Sequence, residues 1–360
     1  MATPKKEQGN TNNPPSLESG LVFFRDILGQ DWVVSHLKTA MLASRLAHAY
    51  LFVGPGGVGK SSTARALAAA LNCAQPAADG DACGKCPSCR RLAAGTHPDF
   101  LVISPEEGKA QIKIEVIREL RRLTDYPPLG GGWRVVLINP AEALTAISDA
   151  AANALLKTLE EPPPQHLLVL TARGEADLLP TIVSRCHKLA FAPLPSALII
   201  RELESRRGLP PARAALVAAL SGGSLGRALV LDPEELVRQR DQALADLAQL
   251  NRGSATAVLD WAQRLTKNRG DLDDFLLLAQ LWYRDLLLSY FQAPASHLAH
   301  QDLLPALAQE RAAGQPETWF ARFMALGAAL RQLQANLNPE LTLDILGFRL
   351  QRQGGLHDHR

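Results

Sequence analysis

Residues 49 to 71 read A-Y-L-F-V-G-P-G-G-V-G-K-S-S-T-A-R-A-L-A-A-A-L. The apolar run Ala49–Val53 is typical of a buried strand, and the alanine-rich run Ser61–Leu71 favours a helix. Between them lies a glycine-rich loop that ends in Lys60 and Ser61, which is the spacing of a phosphate-binding loop. The sequence therefore predicts a strand, a phosphate loop and a helix in direct succession.

The glycines of this loop let backbone N–H groups wrap closely around a polyphosphate. Lys60 would reach the terminal phosphates, the hydroxyl of Ser61 would ligate Mg²⁺, and the start of the helix adds positive potential. The alternative is a glycine-rich turn with a chance lysine, which the strand and helix in register disfavour. We expect ATP or ADP to bind here with Mg²⁺, at Gly54, Gly56, Gly57, Gly59, Lys60, Ser61 and Ser62.

Hydrolysis needs a carboxylate at the end of a second buried strand, to hold the metal and to activate the attacking water. The candidate strand, Arg134 to Asn139, is followed by Pro140, and two acidic residues would be expected where Asn139 and Pro140 stand. A neutral amide coordinates Mg²⁺ more weakly than a carboxylate, and proline cannot activate water. Glu142 lies nearby at the wrong offset, and we interpret it as a solvated residue. The chain is therefore expected to bind nucleotide and to hydrolyse it poorly or not at all.

Length and composition describe a large chain with balanced charge. Its 360 residues exceed one ordinary core and indicate about two or three domains. The formal net charge of +2 gives no sign of nucleic-acid binding, so any such contact needs a local patch. The sequence shows neither a signal-peptide pattern nor an apolar run of about 18 residues that could cross a bilayer. We therefore expect a cytoplasmic protein without membrane contact.

Four of the five cysteines form a C-x9-C-x2-C-x2-C array, at Cys73, Cys83, Cys86 and Cys89. Their thiolates can surround a tetrahedral Zn²⁺, and four cysteine ligands leave no open position for catalysis. Disulfides are the competing interpretation, which a cytoplasmic chain disfavours. We therefore predict a structural zinc site, and whether it also touches a partner or DNA stays open. The fifth cysteine, Cys186, is expected to be a small buried hydrophobe.

The organisation along the chain follows from composition and periodicity. Residues 1–20 are polar and predicted to be a disordered tail. Residues 21–193 alternate strands with helices, which predicts an α/β sandwich. Residues 194–235 are expected to form a small helical lid, and residues 236–352 a helical collar with Trp261, Trp282, Tyr283 and Trp319 in its core. Residues 353–360 form a second tail.

Two further segments go against local rules. A helix predicted from Ala150 to Pro164 carries Glu160 and Glu161 at its carboxyl end, where the helix dipole disfavours negative charge. A contact surface and a solvated helix end are both open interpretations. Arg185, in the triplet S-R-C, is either an ordinary surface side chain or one that reaches into a neighbour's phosphates.

Together these motifs resemble the bacterial clamp-loader family of AAA+ proteins. The resemblance is carried by the phosphate loop, the four-cysteine insertion, His97-Pro98-Asp99, the A-A-N-A-L-L-K-T-L-E-E-P-P block and S-R-C. The absence of acidic residues at Asn139 and Pro140, together with N-L-N-P-E-L-T-L-D at residues 336–344, is similar to a branch of the family that is not a motor. The resemblance covers residues 21–352.

The resemblance implies a fold and a set of roles. The fold would be a RecA-like P-loop AAA+ domain with a zinc-binding insertion, a small helical lid and an all-α collar domain. Arg185 matches the arginine finger, which enters the nucleotide site of an adjacent subunit. Thr171 falls at the first sensor position and Arg227 at the second, and the four cysteines match the zinc ligands.

The partners implied by the resemblance are the delta and gamma/tau subunits of a hetero-pentamer, together with the sliding clamp and primed DNA. The chain would then be part of the DNA polymerase III holoenzyme, yet by itself would neither polymerise DNA nor hydrolyse ATP efficiently. Two alternatives are an ATPase motor of the gamma/tau kind and a zinc-stabilised nucleic-acid-binding module. The affinity of such a module for DNA would fall steeply with salt.

Overall fold

The computed structural model describes residues 20–145, 149–267 and 269–352. The tail predicted at residues 1–20 lies outside the described residues except for Gly20, and the tail predicted at residues 353–360 lies outside them entirely. Within the described ranges, no helix combines the length and the apolar character that crossing a membrane requires.

The chain divides into two compact units between Leu194 and Pro195. In the described part of the first unit, the strands are β1 (Ala49–Val53), β2 (Phe100–Ile103), β3 (Arg134–Ile138), β4 (His166–Ala172) and β5 (His187–Ala190). Its helices are α1 (Asp31–Leu42), α2 (Lys60–Leu71), α3 (Pro87–Ala93), α4 (Ile114–Thr124), α5 (Ala150–Glu160) and α6 (Pro180–Val183). The strands form one parallel sheet in the order β2-β3-β4-β1-β5.

Both faces of this sheet are covered by helices. Successive residues of each inner strand point to opposite faces, so each strand contributes side chains to both sides. On one side, Tyr50 and Phe52 of β1 pack with α1 and α2. On the other side, Ala49 and Leu51 pack with α4 and α5. The continuous apolar runs that predict these strands are therefore shared between two hydrophobic cores, which confirms the α/β architecture.

The structure confirms β1 with the predicted bounds and ends β3 at Ile138, one residue before the predicted end at Asn139. The sequence pattern does not predict β5, because Leu189 is its single buried residue and the strand lacks an apolar run. The helix α5 ends at Glu160 rather than at Pro164. The three prolines that follow Glu161 cannot continue a helix, which explains the earlier end.

The second unit is helical in its described residues. Its helices are α7 (Ser196–Arg207), α8 (Pro211–Leu220), α9 (Leu225–Val230), α10 (Pro233–Arg252), α11 (Ala255–Thr266), α12 (Arg269–Tyr290), α13 (Leu304–Ala313), α14 (Pro316–Gln334) and α15 (Pro339–Arg352). Trp261, Trp282 and Trp319 are buried in this unit, which confirms that they belong to its core. The boundary predicted between a lid and a collar, at residues 235/236, lies in the first turn of α10, and the division into two parts stays a prediction.

A buried ion pair joins β3 to the residue that precedes β2. The carboxylate of Asp99 accepts hydrogen bonds from Arg134 at 3.1 Å and from the N–H groups of Leu129 and Gly130 at 2.9 and 2.8 Å. The remaining guanidinium N–H groups of Arg134 donate to backbone carbonyls at the end of α4 and just beyond it. Burial alone would raise the pKa of Asp99, but these donors outweigh it and lower that pKa.

We expect Asp99→Asn to lower the free energy of unfolding by about 3 to 5 kcal/mol at neutral pH, because Arg134 then lies buried without a counter-charge. Folding lowers the pKa of Asp99, so the carboxylate stabilises the fold above its unfolded pKa and loses this effect as the pH falls. The difference between the variant and the parent chain should therefore shrink in acid. Urea unfolding at neutral and acidic pH measures both effects.

The matched control is Asp79→Asn, which removes an exposed partner of Lys38. Exposed pairs contribute at most about 1 kcal/mol, so this variant should unfold almost as the parent does. Equal losses in the two variants would show that the buried pair has no special role.

Candidate nucleotide and metal sites

The phosphate loop begins between the carboxyl ends of two strands that flank β1. The N–H of Gly54 donates to the carbonyl of Ala172 at 3.1 Å, and the N–H of Phe191 donates to the carbonyl of Val53 at 2.7 Å. At Gly54 the φ angle is 152°, and a Cβ atom would lie 2.3 Å from the carbonyl oxygen of Phe191. The first glycine of the loop is therefore required by the packing of the sheet as well as by the chemistry of a phosphate.

The rest of the loop leads directly into α2. Gly57 and Gly59 have φ angles of 71° and 107°, in the left-handed region that glycine adopts most readily. Gly56 has no heavy atom within 4 Å of the position of an added Cβ. Ser61 and Ser62 follow in the first turn of α2 and are half-buried. The strand, loop and helix predicted from the sequence are thus present in one continuous segment.

Lys60 begins α2 and is buried, with an exposed fraction of 8%. Its ammonium group donates to the carbonyls of Gly54 and Pro55, the latter at 2.6 Å. Burial lowers the pKa of Lys60, the charge of Glu142 opposes this, and the charge of Arg173 adds to it. Glu142 and Arg173 are therefore close enough to Lys60 to act on its charge.

The residues at the ends of β3 and β4 are paired with each other. The buried hydroxyl of Thr171 donates to the side-chain oxygen of Asn139 at 2.6 Å. The predicted first sensor and the amide that replaces an expected acid are therefore in contact. Arg173, two residues beyond Thr171, was not indicated by the motifs, although a basic residue just past a strand beside the phosphate loop is a usable signal.

The interpretation of Glu142 as a solvated residue holds only in part, because the residue is half-buried. Glu142 lies in the 3₁₀ turn Ala141–Leu144, whose apolar residues belong to the core beneath β3 and β4. Its Oε2 atom is shielded from solvent and has no hydrogen-bond donor among the described residues. Only three-dimensional packing produces this burial, which is why the local sequence pattern did not reveal it.

Arg185 follows α6 and is held by two groups of the first unit. Its guanidinium donates to the carbonyl of Thr181 at 2.9 Å and forms an ion pair with Glu160 at 2.8 Å. About a third of the side chain, 34%, is exposed. Glu160 and Glu161 are both exposed, and the ion pair of Glu160 lies within the chain, so a contact surface and a solvated helix end both stay open interpretations of the acidic end of α5.

Arg227 lies in the second unit, in the first turn of α9. Its N–H is capped by the hydroxyl of Ser224 at 3.0 Å, and the residue is exposed. Its assignment as a second sensor stays a prediction.

The structure brings the four predicted metal ligands together. The Sγ atoms of Cys73, Cys83, Cys86 and Cys89 all lie within 4.8 Å of one another, and all four cysteines are free thiols. Backbone N–H groups donate to three of these sulfurs, those of Cys73, Cys83 and Cys86, at 3.2 to 3.5 Å. The sulfur arrangement and the N–H donors fit one metal ion held by thiolates.

Proton loss is favoured at Cys86, the N-cap residue of α3, whereas burial raises the pKa of Cys89 in the first turn of that helix. Burial raises the pKa of Cys86, but hydrogen bonds from the N–H groups of Cys89 and Ala74 contribute to lowering it to about 6.

Cys186 lies apart from the group, half-buried against the core, and burial raises its pKa to about 12. The prediction that Cys186 is a small hydrophobe is therefore confirmed only in part.

The cysteine segment, residues 73–89, is connected to the sheet by His97. The N–H of Asp99 donates to Nδ1 of His97 at 3.2 Å, so the ring proton lies on Nε2 and donates to the hydroxyl of Ser88 at 3.0 Å. Burial lowers the pKa of His97, which agrees with a neutral ring. Since Ser88 lies between Cys86 and Cys89, the His-Pro-Asp motif links the cysteine segment to the Asp99–Arg134 pair.

A phosphate loop after β1, an inner strand of this parallel sheet, followed by a helical unit, defines the chain as a P-loop protein of the AAA+ class. The family described as "DNA polymerase III, delta subunit" matches residues 29–195. DNA polymerase III subunit delta' of Yersinia pestis is 34% identical over 284 residues, which are 73% of this chain and 79% of that protein. The chain therefore belongs to the family of delta-prime subunits of DNA polymerase III.

Two other relatives qualify this result. The delta' subunit of Pseudomonas aeruginosa is 45% identical over 207 residues, and the match spans 57% of this chain and 61% of that protein. The gamma/tau subunit of Mycobacterium bovis is 38% identical over 232 residues, which are 62% of this chain and 38% of that protein. The chain is thus similar to little more than a third of this gamma/tau subunit, whereas it matches most of the delta' subunit of Yersinia pestis.

We expect Gly54→Ala to abolish ATP binding, because its Cβ would collide with the carbonyl of Phe191 and displace the start of the loop. Calorimetric titration of the purified chain with ATP measures the affinity. Gly108→Ala, outside the phosphate loop, is the matched control, since its φ of 74° is also positive but its added Cβ meets open space in the structure. Retained affinity in the Gly54 variant would mean that the loop position is not critical.

We expect Cys89→Ser to lose the bound metal ion, because a serine hydroxyl at neutral pH is a far weaker ligand than a thiolate. Elemental analysis of the purified chain should give about one metal ion per chain in the parent and much less in the variant. Cys186→Ser, outside the cluster, should keep the metal content of the parent. An equal content in all three proteins would exclude the cysteine cluster as the metal site.

Proposed function

We propose that the chain is a non-motor subunit of a clamp loader, which binds ATP or ADP at its own phosphate loop but hydrolyses it poorly. The observation that carries this proposal is the pairing of Asn139 with Thr171 at the end of β3. A motor needs a carboxylate there to hold the metal and to prepare the attacking water. Here an amide engaged by a hydroxyl and a proline occupy the corresponding positions.

The proposed catalytic contribution is made in trans by Arg185, as an arginine finger. A guanidinium that stabilises the charge of a transferring phosphoryl group must be held in place before it meets its target. The contacts of Arg185 with Glu160 and Thr181 restrict its side chain, while about a third of it is exposed and so accessible to a partner. An exposed ion pair of this kind is weak, so the phosphates of a neighbour can compete for the guanidinium.

The proposed partners are delta and gamma/tau subunits in a hetero-pentamer that loads the sliding clamp onto primed DNA in the cytoplasm. The second unit offers apolar side chains for such an assembly, because Phe320 and Met324 of α14 and Leu341 and Ile345 of α15 are exposed. Each pair is spaced four residues apart and so lies on one helix face. We further propose Zn²⁺ as the metal of the four cysteines, since an all-thiolate site with closed coordination suits structural zinc.

An ATPase motor of the gamma/tau kind is the second candidate, favoured by the 38% identity to a gamma/tau subunit. The two candidates differ in what the chain does alone. A motor hydrolyses ATP at a readily measured rate, whereas the proposed subunit shows little turnover until it is assembled with its partners.

We expect Arg185→Ala to lower ATP hydrolysis by the reconstituted complex at least about tenfold, because an arginine finger contributes about 10³ to 10⁵ to such rates. The measurement is ATP turnover stimulated by the sliding clamp and primed DNA, with assembly verified by size-exclusion chromatography. Lys188→Ala, which removes another exposed ion pair of the first unit, is the control and should leave the rate unchanged. An intact complex with full activity would refute the role in trans.

A further inference from the structure

The end of β3 leaves one acidic side chain near the phosphate loop. Asn139 uses its side-chain oxygen to accept a hydrogen bond from Thr171, and Pro140 has no polar side chain. The first carboxylate beyond them belongs to Glu142, in the 3₁₀ turn that follows. Because β3, β4 and β1 are parallel neighbours, this turn and the phosphate loop lie at the same edge of the sheet.

The carboxylate of Glu142 is held in an unusual environment for a free acid. Its Oε2 atom is shielded from solvent and, within the part of the chain that the structure describes, no donor hydrogen-bonds to it. A carboxylate oxygen that is removed from water without a donor loses free energy, so native structures seldom keep one without a role. An oxygen in this state is suited to a cation or to a water molecule bound by a cation.

The charges around Glu142 also belong to the phosphate site. Burial lowers the pKa of Lys60, and the negative charge of Glu142 raises it. The ammonium group of Lys60 nevertheless donates to the carbonyls of Gly54 and Pro55 rather than to Glu142. The carboxylate of Glu142 thus acts on the charge of the Lys60 ammonium group but does not form an ion pair with it.

We propose that Glu142 supplies the carboxylate that holds the Mg²⁺ of the bound nucleotide, from a turn three residues beyond the end of the predicted strand. The inference rests on the proposed binding of nucleotide at the phosphate loop. Mg²⁺ keeps several of its waters in proteins, so a carboxylate at a changed offset can still act on it through water. Glu142 would then preserve metal binding, while the positions that prepare an attacking water stay without an acid.

The test is the affinity of the full chain for ATP, measured by calorimetry once with Mg²⁺ and once with a chelator. With Mg²⁺, Glu142→Gln should weaken ATP binding about 10- to 100-fold, the range found when a group that supports a metal ligand is lost. Without metal, the same variant should bind ATP as well as the parent or more tightly, because a negative charge near the phosphates has been removed. The metal-free affinity also verifies that the variant is folded.

Two further variants sharpen the result. Glu107→Gln neutralises an exposed glutamate of the loop after β2 and should change neither affinity. Asn139→Asp, added to Glu142→Gln, should restore the effect of Mg²⁺, because Asp can still accept the hydrogen bond from Thr171. These comparisons separate a role toward the metal from a general effect of charge or folding.

Three outcomes would overturn the inference. If Glu142→Gln strengthens binding equally with and without Mg²⁺, Glu142 merely repels the phosphates. If it changes neither affinity, its carboxylate contacts neither metal nor nucleotide. If the parent chain binds no ATP under either condition, the proposed binding of nucleotide fails, and the role of Glu142 fails with it.

Discussion

The phosphate loop is fixed by the strands that lie on both sides of β1. Gly54 approaches the backbone that follows β5 so closely that a Cβ does not fit. The side-chain amide of Gln30 donates to the carbonyl of Val58 in the loop at 3.3 Å and to that of Ala192, after β5, at 2.8 Å. Gln30 therefore also joins the loop to the backbone that follows β5. Since β3 and β4 end at this edge, the sheet also positions Asn139 and Thr171 on the side of the phosphate loop.

Binding and hydrolysis of a nucleotide place different demands on this edge. Binding needs backbone N–H groups, a lysine and a metal, and the loop with Lys60 can provide the first two. Hydrolysis also needs a base or an orienting group for water, and neither the amide of Asn139, occupied by Thr171, nor Pro140 can serve. A carboxylate moved to Glu142 alters the metal site without restoring the water site, so the two functions can be separated within one fold.

The sequence was sufficient for features that depend on neighbouring residues. The apolar runs of β1 and β3, the glycine spacing and the cysteine array are local patterns, and each predicts its element or site. β5 was missed because an edge strand with one buried residue has no such pattern. The burial of Glu142 and the pairing of Arg185 with Glu160 connect residues that only the folded chain brings together, so no local rule could predict them.

The cysteine segment, residues 73–89, is connected to the sheet by a series of hydrogen bonds. Ser88 lies on α3 between two of the cysteines, and its hydroxyl accepts from His97. His97 accepts in turn from the N–H of Asp99, whose carboxylate pairs with Arg134 at the start of β3. Each of these side chains is buried, so their hydrogen bonds attach the cysteine loop to the start of β3. The opposite end of β3 carries Asn139, so the cysteine cluster is connected to one end of this strand and the phosphate loop lies at the other.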